Sequence, residues 1–124
     1  MWTIQRTDEI ISWITQLDDD AREAIYTSLL ILREIGPSLS RPHVDTVKES
    51  KYPNMKELRV QNKKRLFRIF FAFDPHREAI LLIGGEKRGD KKFYETMIPK
   101  ADELYRRHLA STGKKDEHKT KKKQ

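Results

Sequence analysis

Two kinds of hydrophobic spacing divide the chain. Between Thr7 and Gly36 the apolar residues recur every three or four positions, between Met55 and Gly85 they alternate or run together, and from Phe93 the helical spacing returns. In the first stretch Ile10, Trp13, Ile14 and Leu17 form one stripe, and Ala21, Ala24, Ile25, Ser28, Leu29 and Leu32 form a second. This predicts two helices joined by the acidic turn "LDDD". Thr7 would cap the first and Asp18 or Asp19 the second, because a short side-chain oxygen can accept an orphan amide of the opening turn. Gly36 followed by Pro37 ends the second helix. "WTIQ" (residues 2–5) reads as a short first strand. "PSLSRPHVDTVKESKYPN" carries three prolines and no period, and reads as a long connecting loop.

The period then becomes two. "MKELRVQ" sets Leu58 and Val60 on one face and Arg59 and Gln61 on the other. "RLFRIFFAF" sets Phe67, Ile69, Phe71 and Phe73 opposite Leu66, Arg68, Phe70 and Ala72. "AILLIGG" is apolar on both faces, as in a central strand, and Gly84 and Gly85 are expected to let it end and turn. Short turns at "NKK" and "DPHRE" make the three strands an antiparallel meander. In "KKFYETMIPKADELYRRHL", Tyr94, Met97, Ile98, Ala101, Leu104, Tyr105 and His108 share a helical stripe, which Pro99 is expected to kink or divide. The fold class is α+β: an N-terminal helical hairpin packed on an antiparallel sheet of three to four strands, then a C-terminal helix. Residues 1–111 form one domain, and residues 112–124 read as a disordered basic tail.

Composition narrows the chemistry. No apolar run approaches the ~18 residues of a spanning helix, and the N-terminus lacks a signal pattern, so a cytoplasmic protein is expected. Cysteine is absent, which excludes disulfides and thiolate chemistry. No His/Asp/Glu spacing suggests a metal site, and no glycine-rich loop suggests a nucleotide cofactor. The net charge is +7, and residues 51–68 carry seven basic side chains against one acidic. Clustering of that kind suits a polyanion partner. A solvated basic surface is the plainer alternative.

Arg68 interrupts the most apolar strand. Buried alone, a guanidinium there would be costly, so two readings are open. Arg68 can face an open groove on the uncovered side of the sheet, with Arg59 across from it and a phosphate between them. Alternatively it can be paired internally with Glu57, Glu78 or Glu86. Lys63, Lys64 and Arg65 lie at a hairpin turn.

With its ELR strand, "FRIFFAFD", "ILLIGGEK" and "FYETMIPKADELY", the chain resembles the RelE/ParE superfamily of bacterial toxin–antitoxin modules, in particular its HigB-like branch. The resemblance covers roughly residues 1–110. It implies a small α+β domain with a curved antiparallel sheet. It also implies a ribosome-dependent endoribonuclease, an mRNA interferase that inhibits translation by cutting messages in the ribosomal A site. The expected partners are the message on the ribosome and a cognate antitoxin, in HigB-like systems usually a helix-turn-helix protein.

The positions that match the catalytic ones are Arg68, Lys87, Arg88 and Tyr94. Lys56, Arg59, Lys63, Lys64, Arg65, Lys91 and Lys92 are candidate RNA contacts. His108 is expected to be packed and His43 to be a bystander. Metal-free cleavage by the 2′-OH needs a proton acceptor, a proton donor and charge stabilisation. Guanidinium groups at Arg68 and Arg88 suit the last role. Tyr94 could serve as the base if Lys87 and Arg88 lower its pKa, could stack on a base, or could be a core aromatic. Lys56, Lys91 or Lys92 could relay protons. Two other activities fit the same fold: a ParE-like inhibitor of gyrase without catalysis, and a plain RNA-binding module.

Overall fold

A computed structural model describes residues 1–89 and 91–112, with residues 113–123 entering only as the helical continuation of the last helix. The elements are β1 (Thr3–Arg6), α1 (Asp8–Thr15), α2 (Asp19–Ile35), a short 3-10 turn (Gly36–Ser38), β2 (Val44–Thr46), β3 (Met55–Asn62), β4 (Arg65–Phe73), β5 (Glu78–Glu86) and α3 (Phe93–Lys123). Apart from Thr112, the tail expected over 112–124 lies outside the described residues.

Both helix starts form as the capping chemistry requires. Thr7 Oγ1 accepts the amide of Ile10 at 3.1 Å, and an Asp18 carboxylate oxygen accepts that of Ala21 at 3.4 Å. Gly36 ends α2 at φ 71°, a left-handed conformation that favours glycine, and the Trp2 indole fills the space its side chain would need. Pro99 does not divide the C-terminal helix in two. Pro99 lies within α3, seven positions from its start, and the helix continues past it.

The meander β3–β4–β5 is present, and the sheet is wider than the three or four strands expected. Its order is β1-β5-β4-β3-β2, five strands in all. β1 adds in parallel beside β5, and β2 adds antiparallel beside the first half of β3. β2 falls inside the proline-rich stretch read as loop. Three residues of strand between prolines leave too short a pattern to detect.

Helices cover both faces of the sheet. On one side Leu58, Val60, Phe67, Ile69, Phe71 and Leu81 pack against Ile10, Ile14, Ala21, Ile25, Leu29 and Leu32 of α1 and α2. On the other, Met55, Phe70, Ala72, Ile80 and Leu82 pack against Phe93, Ile98, Ala101 and Tyr105 of α3. Fully burying each large apolar side chain contributes about 1.5–3 kcal/mol, so both layers add substantially to the core. Gly84 and Gly85 lie inside β5 and do not end it. A Cβ at Gly84 would sit 2.3 Å from the Trp13 ring, and one at Gly85 would sit 3.0 Å from Phe93. The glycines therefore let helices approach the strand on its two sides.

Candidate functional site

The register of β3 and β4 sets Arg59 directly opposite Arg68, and Arg68 in turn opposite Gly85 of β5. Paired residues share a face, so both arginines lie on the α3 side. That face is not the open floor expected from the sequence. Arg68 is 3% exposed. Tyr94, in the first turn of α3, lies over it, so the Arg68 guanidinium is held among protein groups. Nη1 donates to the carbonyl of Phe67 at 3.0 Å and Nε to the Tyr94 hydroxyl at 3.4 Å.

The anion between the two arginines belongs to the protein. Glu57 Oε1 lies 3.9 Å from Arg68 Nε and 3.9 Å from Arg59 Nε, and it accepts the Tyr94 hydroxyl proton at 3.2 Å. Like charges facing each other across a strand pair repel. The buried Glu57 carboxylate offsets that repulsion. Of the two readings open for Arg68, internal pairing with Glu57 is the one observed, and Tyr94 nonetheless points at the pair. Glu57 has a legible signal in the sequence: it stands two residues before Arg59, hence on the same strand face.

Tyr94 is half-buried. Burial pushes its phenol above the usual tyrosine value; the Arg68 hydrogen bond opposes this and the Glu57 charge adds to it. The lowered value that a resting phenolate base would need is therefore not found. Lys87 sits with Nζ 5.1 Å from the centre of the Tyr94 ring, attracted by the π-face. Its backbone is fixed by donation to the Leu66 carbonyl at 2.7 Å. Lys91 and Lys92 are exposed immediately before α3.

Other candidates lie elsewhere. Lys56 faces Phe71 in the register, on the α1/α2 side of the sheet and away from Arg68. Lys63 pairs with Asp20 at 3.3 Å, and Arg65 pairs with Asp18 and Glu86 while covering the Phe67 ring, so both tie the β3–β4 turn to α2. Lys64 is exposed at the same turn. Arg88 is exposed and pairs with Glu86 at 3.2 Å. His108 is partly buried: it binds Asp74 at 3.0 Å and stacks on Tyr105, a packed role. His43 is exposed and offers its carbonyl to the Arg59 amide. Of the eleven candidates, the fold thus gathers Arg59, Arg68, Lys87 and Tyr94 and sets Lys91 and Lys92 just before them.

Beyond the β2 pairing, the last residues of β3 border a groove of about 850 Å³. Arg59, Arg68 and Gln61 line it from the sheet, and Asp20, Glu23 and Thr27 from α2. Of the gathered cluster, Arg59 and Arg68 reach this groove. Among the described residues no cluster of side chains is suited to hold a metal ion, and no helix is long and apolar enough to cross a membrane.

Comparison with known proteins agrees with this architecture. The family model of phage-derived Gp49-like proteins matches residues 12–106. Two Mycobacterium tuberculosis (strain ATCC 25618 / H37Rv) proteins provisionally named as toxins are similar in sequence. HigB2 is 42% identical over 111 residues, 88% of this chain and 55% of HigB2; HigB3 is 43% identical over 104 residues, 83% of this chain and 90% of HigB3. The chain thus spans about half the length of the first and nearly all of the second.

The isolated Escherichia coli RelE toxin shares the fold at a TM-score of 0.58 and 10% identity, over 78% of this chain and 96% of RelE. The intact E. coli RelBE toxin–antitoxin complex also matches, at 0.50 and 11%, over 71% of this chain and 99% of the matched one. With a family model spanning most of its length, and HigB3 matched nearly end to end, the chain belongs to the Gp49-like family, is similar to HigB proteins, and has the fold of RelE.

Proposed function

We propose that this protein is the toxin of a toxin–antitoxin pair and an endoribonuclease that cuts messenger RNA on the ribosome, without a metal, by attack of the ribose 2′-OH on the adjacent phosphate. The observation that carries the reading is the convergence of Arg68 and Tyr94, 3.4 Å apart, in a mostly buried cluster of which Arg59 and Arg68 line the groove. Arg68 and Arg59 supply positive charge where the phosphorane oxygens develop negative charge, and a partly dry setting strengthens that attraction. The raised phenol pKa keeps Tyr94 protonated at rest, so it meets the substrate as a hydroxyl. Lys87, beside the phenol ring, is placed to protonate the departing 5′-oxygen. Arg88, Lys91 and Lys92 lie around the start of α3 and contribute charge to holding the RNA backbone. The partner is a cognate antitoxin, as the RelBE complex and the names of the mycobacterial relatives suggest.

A translation reaction with purified ribosomes, read by primer extension, tests this. Wild type should cut within codons, and Arg68→Ala and Tyr94→Phe should each lower the rate about 10²-fold or more. Intact messages with arrested growth would overturn the reading and favour the gyrase-directed activity seen elsewhere on this fold.

A further inference from the structure

Among the described residues, one buried side-chain polar atom has no hydrogen-bond partner, and it is Oε2 of Glu57. The other oxygen of the same carboxylate takes the Tyr94 proton and lies between two arginines. A purely structural carboxylate at 7% exposure would be expected to have both oxygens satisfied. This one keeps vacant acceptor capacity at the only group to which the phenol donates.

Resting on the endonuclease reading, we infer that Glu57 is a positioning and proton-holding residue that makes Tyr94 the acceptor of the 2′-OH proton. The 2′-OH passes its proton to the Tyr94 oxygen as the phenol's own proton moves across the 3.2 Å hydrogen bond to Glu57. The O2′–P bond forms, the P–O5′ bond breaks, and the 5′-oxygen leaves with a proton from the Lys87 ammonium. The products are a 2′,3′-cyclic phosphate and a free 5′-hydroxyl. Glu57 then returns its proton to solvent through Tyr94, and Lys87 regains one from water. Tyr94 is a neutral phenol before and after transfer, so no phenolate is needed.

The relay has an electrostatic consequence. At rest Glu57 neutralises part of the charge on Arg59 and Arg68. When it takes the proton, that negative charge is lost as an equivalent charge appears on the phosphoryl oxygens. The arginines thus change counter-ion without moving, so their stabilisation is preorganised. The same arrangement explains how a buried, internally paired Arg68 can still serve a phosphate.

Glu57→Gln tests the inference, because the amide oxygen still accepts the phenol hydrogen bond but cannot take its proton. Single-turnover cleavage of ribosome-bound message should fall about 10²-fold or more, with ribosome affinity within threefold of wild type. Glu57→Asp should recover part of the rate. The wild-type rate should rise with pH on the acid side, and Glu57→Gln should lack that limb, which a merely structural loss would leave in place. Thermal unfolding checks that each variant is folded, and Glu57→Asp carries the test if Glu57→Gln is not: an Asp variant without an acid-side limb overturns the relay.

A second readout needs no ribosome. Tyr94 titration, isolated by difference against Tyr94→Phe, should move to lower pH in Glu57→Gln. An unmoved titration overturns the coupling of the two groups. An active wild type whose Glu57→Gln variant cleaves within threefold overturns the relay alone, whereas a wild type that leaves messages intact overturns the endonuclease reading and the relay with it.

Discussion

The two faces of the five-stranded sheet bury comparable apolar side chains but treat charge differently. Under α1 and α2 the buried layer is apolar, with fully buried Phe67, Phe71, Leu58, Ile69 and Leu81. Under α3 the layer carries all four buried charged residues found among the described ones: Glu57, Arg68, Asp74 and Asp102. Each is in α3 or bonded to it: Glu57 and Arg68 through Tyr94, and Asp74 through His108, while Asp102 holds Ser50 and the Lys51 amide of the β2–β3 loop. Burying charge is expensive unless it is paired and hydrogen-bonded. The charged face therefore carries the costlier burial, and it is the face on which the proposed site lies.

Four experiments would break or sharpen that comparison. Phe67→Ala, on the dry face, should cost about 3–5 kcal/mol in guanidinium unfolding, because it removes a fully buried ring and leaves a cavity. On the charged face the double substitution Glu57→Leu with Arg68→Met should do the reverse. Replacing a buried ion pair by apolar groups is often neutral or stabilising by about 1–4 kcal/mol, while cleavage should be abolished. A large loss of stability in the double variant would show that the pair is structural and erase the contrast.

Gly84→Ala should destabilise by about 1–3 kcal/mol through overpacking against Trp13. Unchanged thermal unfolding would mean that the contact between α1 and β5 is loose. The smallest effect concerns acid. Burial pushes the Asp74 carboxyl up, but the hydrogen bonds from His108 and the amides of His76 and Glu78 outweigh it and hold it below the ordinary range. A folded value below the unfolded one means that the stability gained is complete above about pH 4 and lost as pH falls through the folded value. Asp74→Asn should therefore flatten the acid side of the unfolding midpoint below about pH 4, with little effect on cleavage.

Much of this was legible in the sequence. The hairpin helices, their caps, the three-stranded meander and the C-terminal stripe follow from local period and from residues whose backbone needs are local. The period of two also placed Arg68 and Arg59 together on the face opposite Phe67 and Val60. The same parity sets Lys56 with Leu58, away from them, although charge alone had grouped it with the site. β2 was too short to signal itself.

What the tertiary structure decided was the cover of the second face and the partner of the arginine. Whether α3 folds back over β4, so that Tyr94 closes over Arg68 and Glu57, depends on contacts between residues 26 to 37 positions apart, and whether Glu57 is the anion between the arginines depends on how β3 and β4 pair. Periodicity reports which face a side chain takes, because that is set by backbone geometry within a few residues. It cannot report what lies against that face, because that is set by how separate elements close on one another. Burial then did the rest: by excluding water around Tyr94 it raised the phenol pKa, where neighbouring positive charge in the sequence had suggested the opposite.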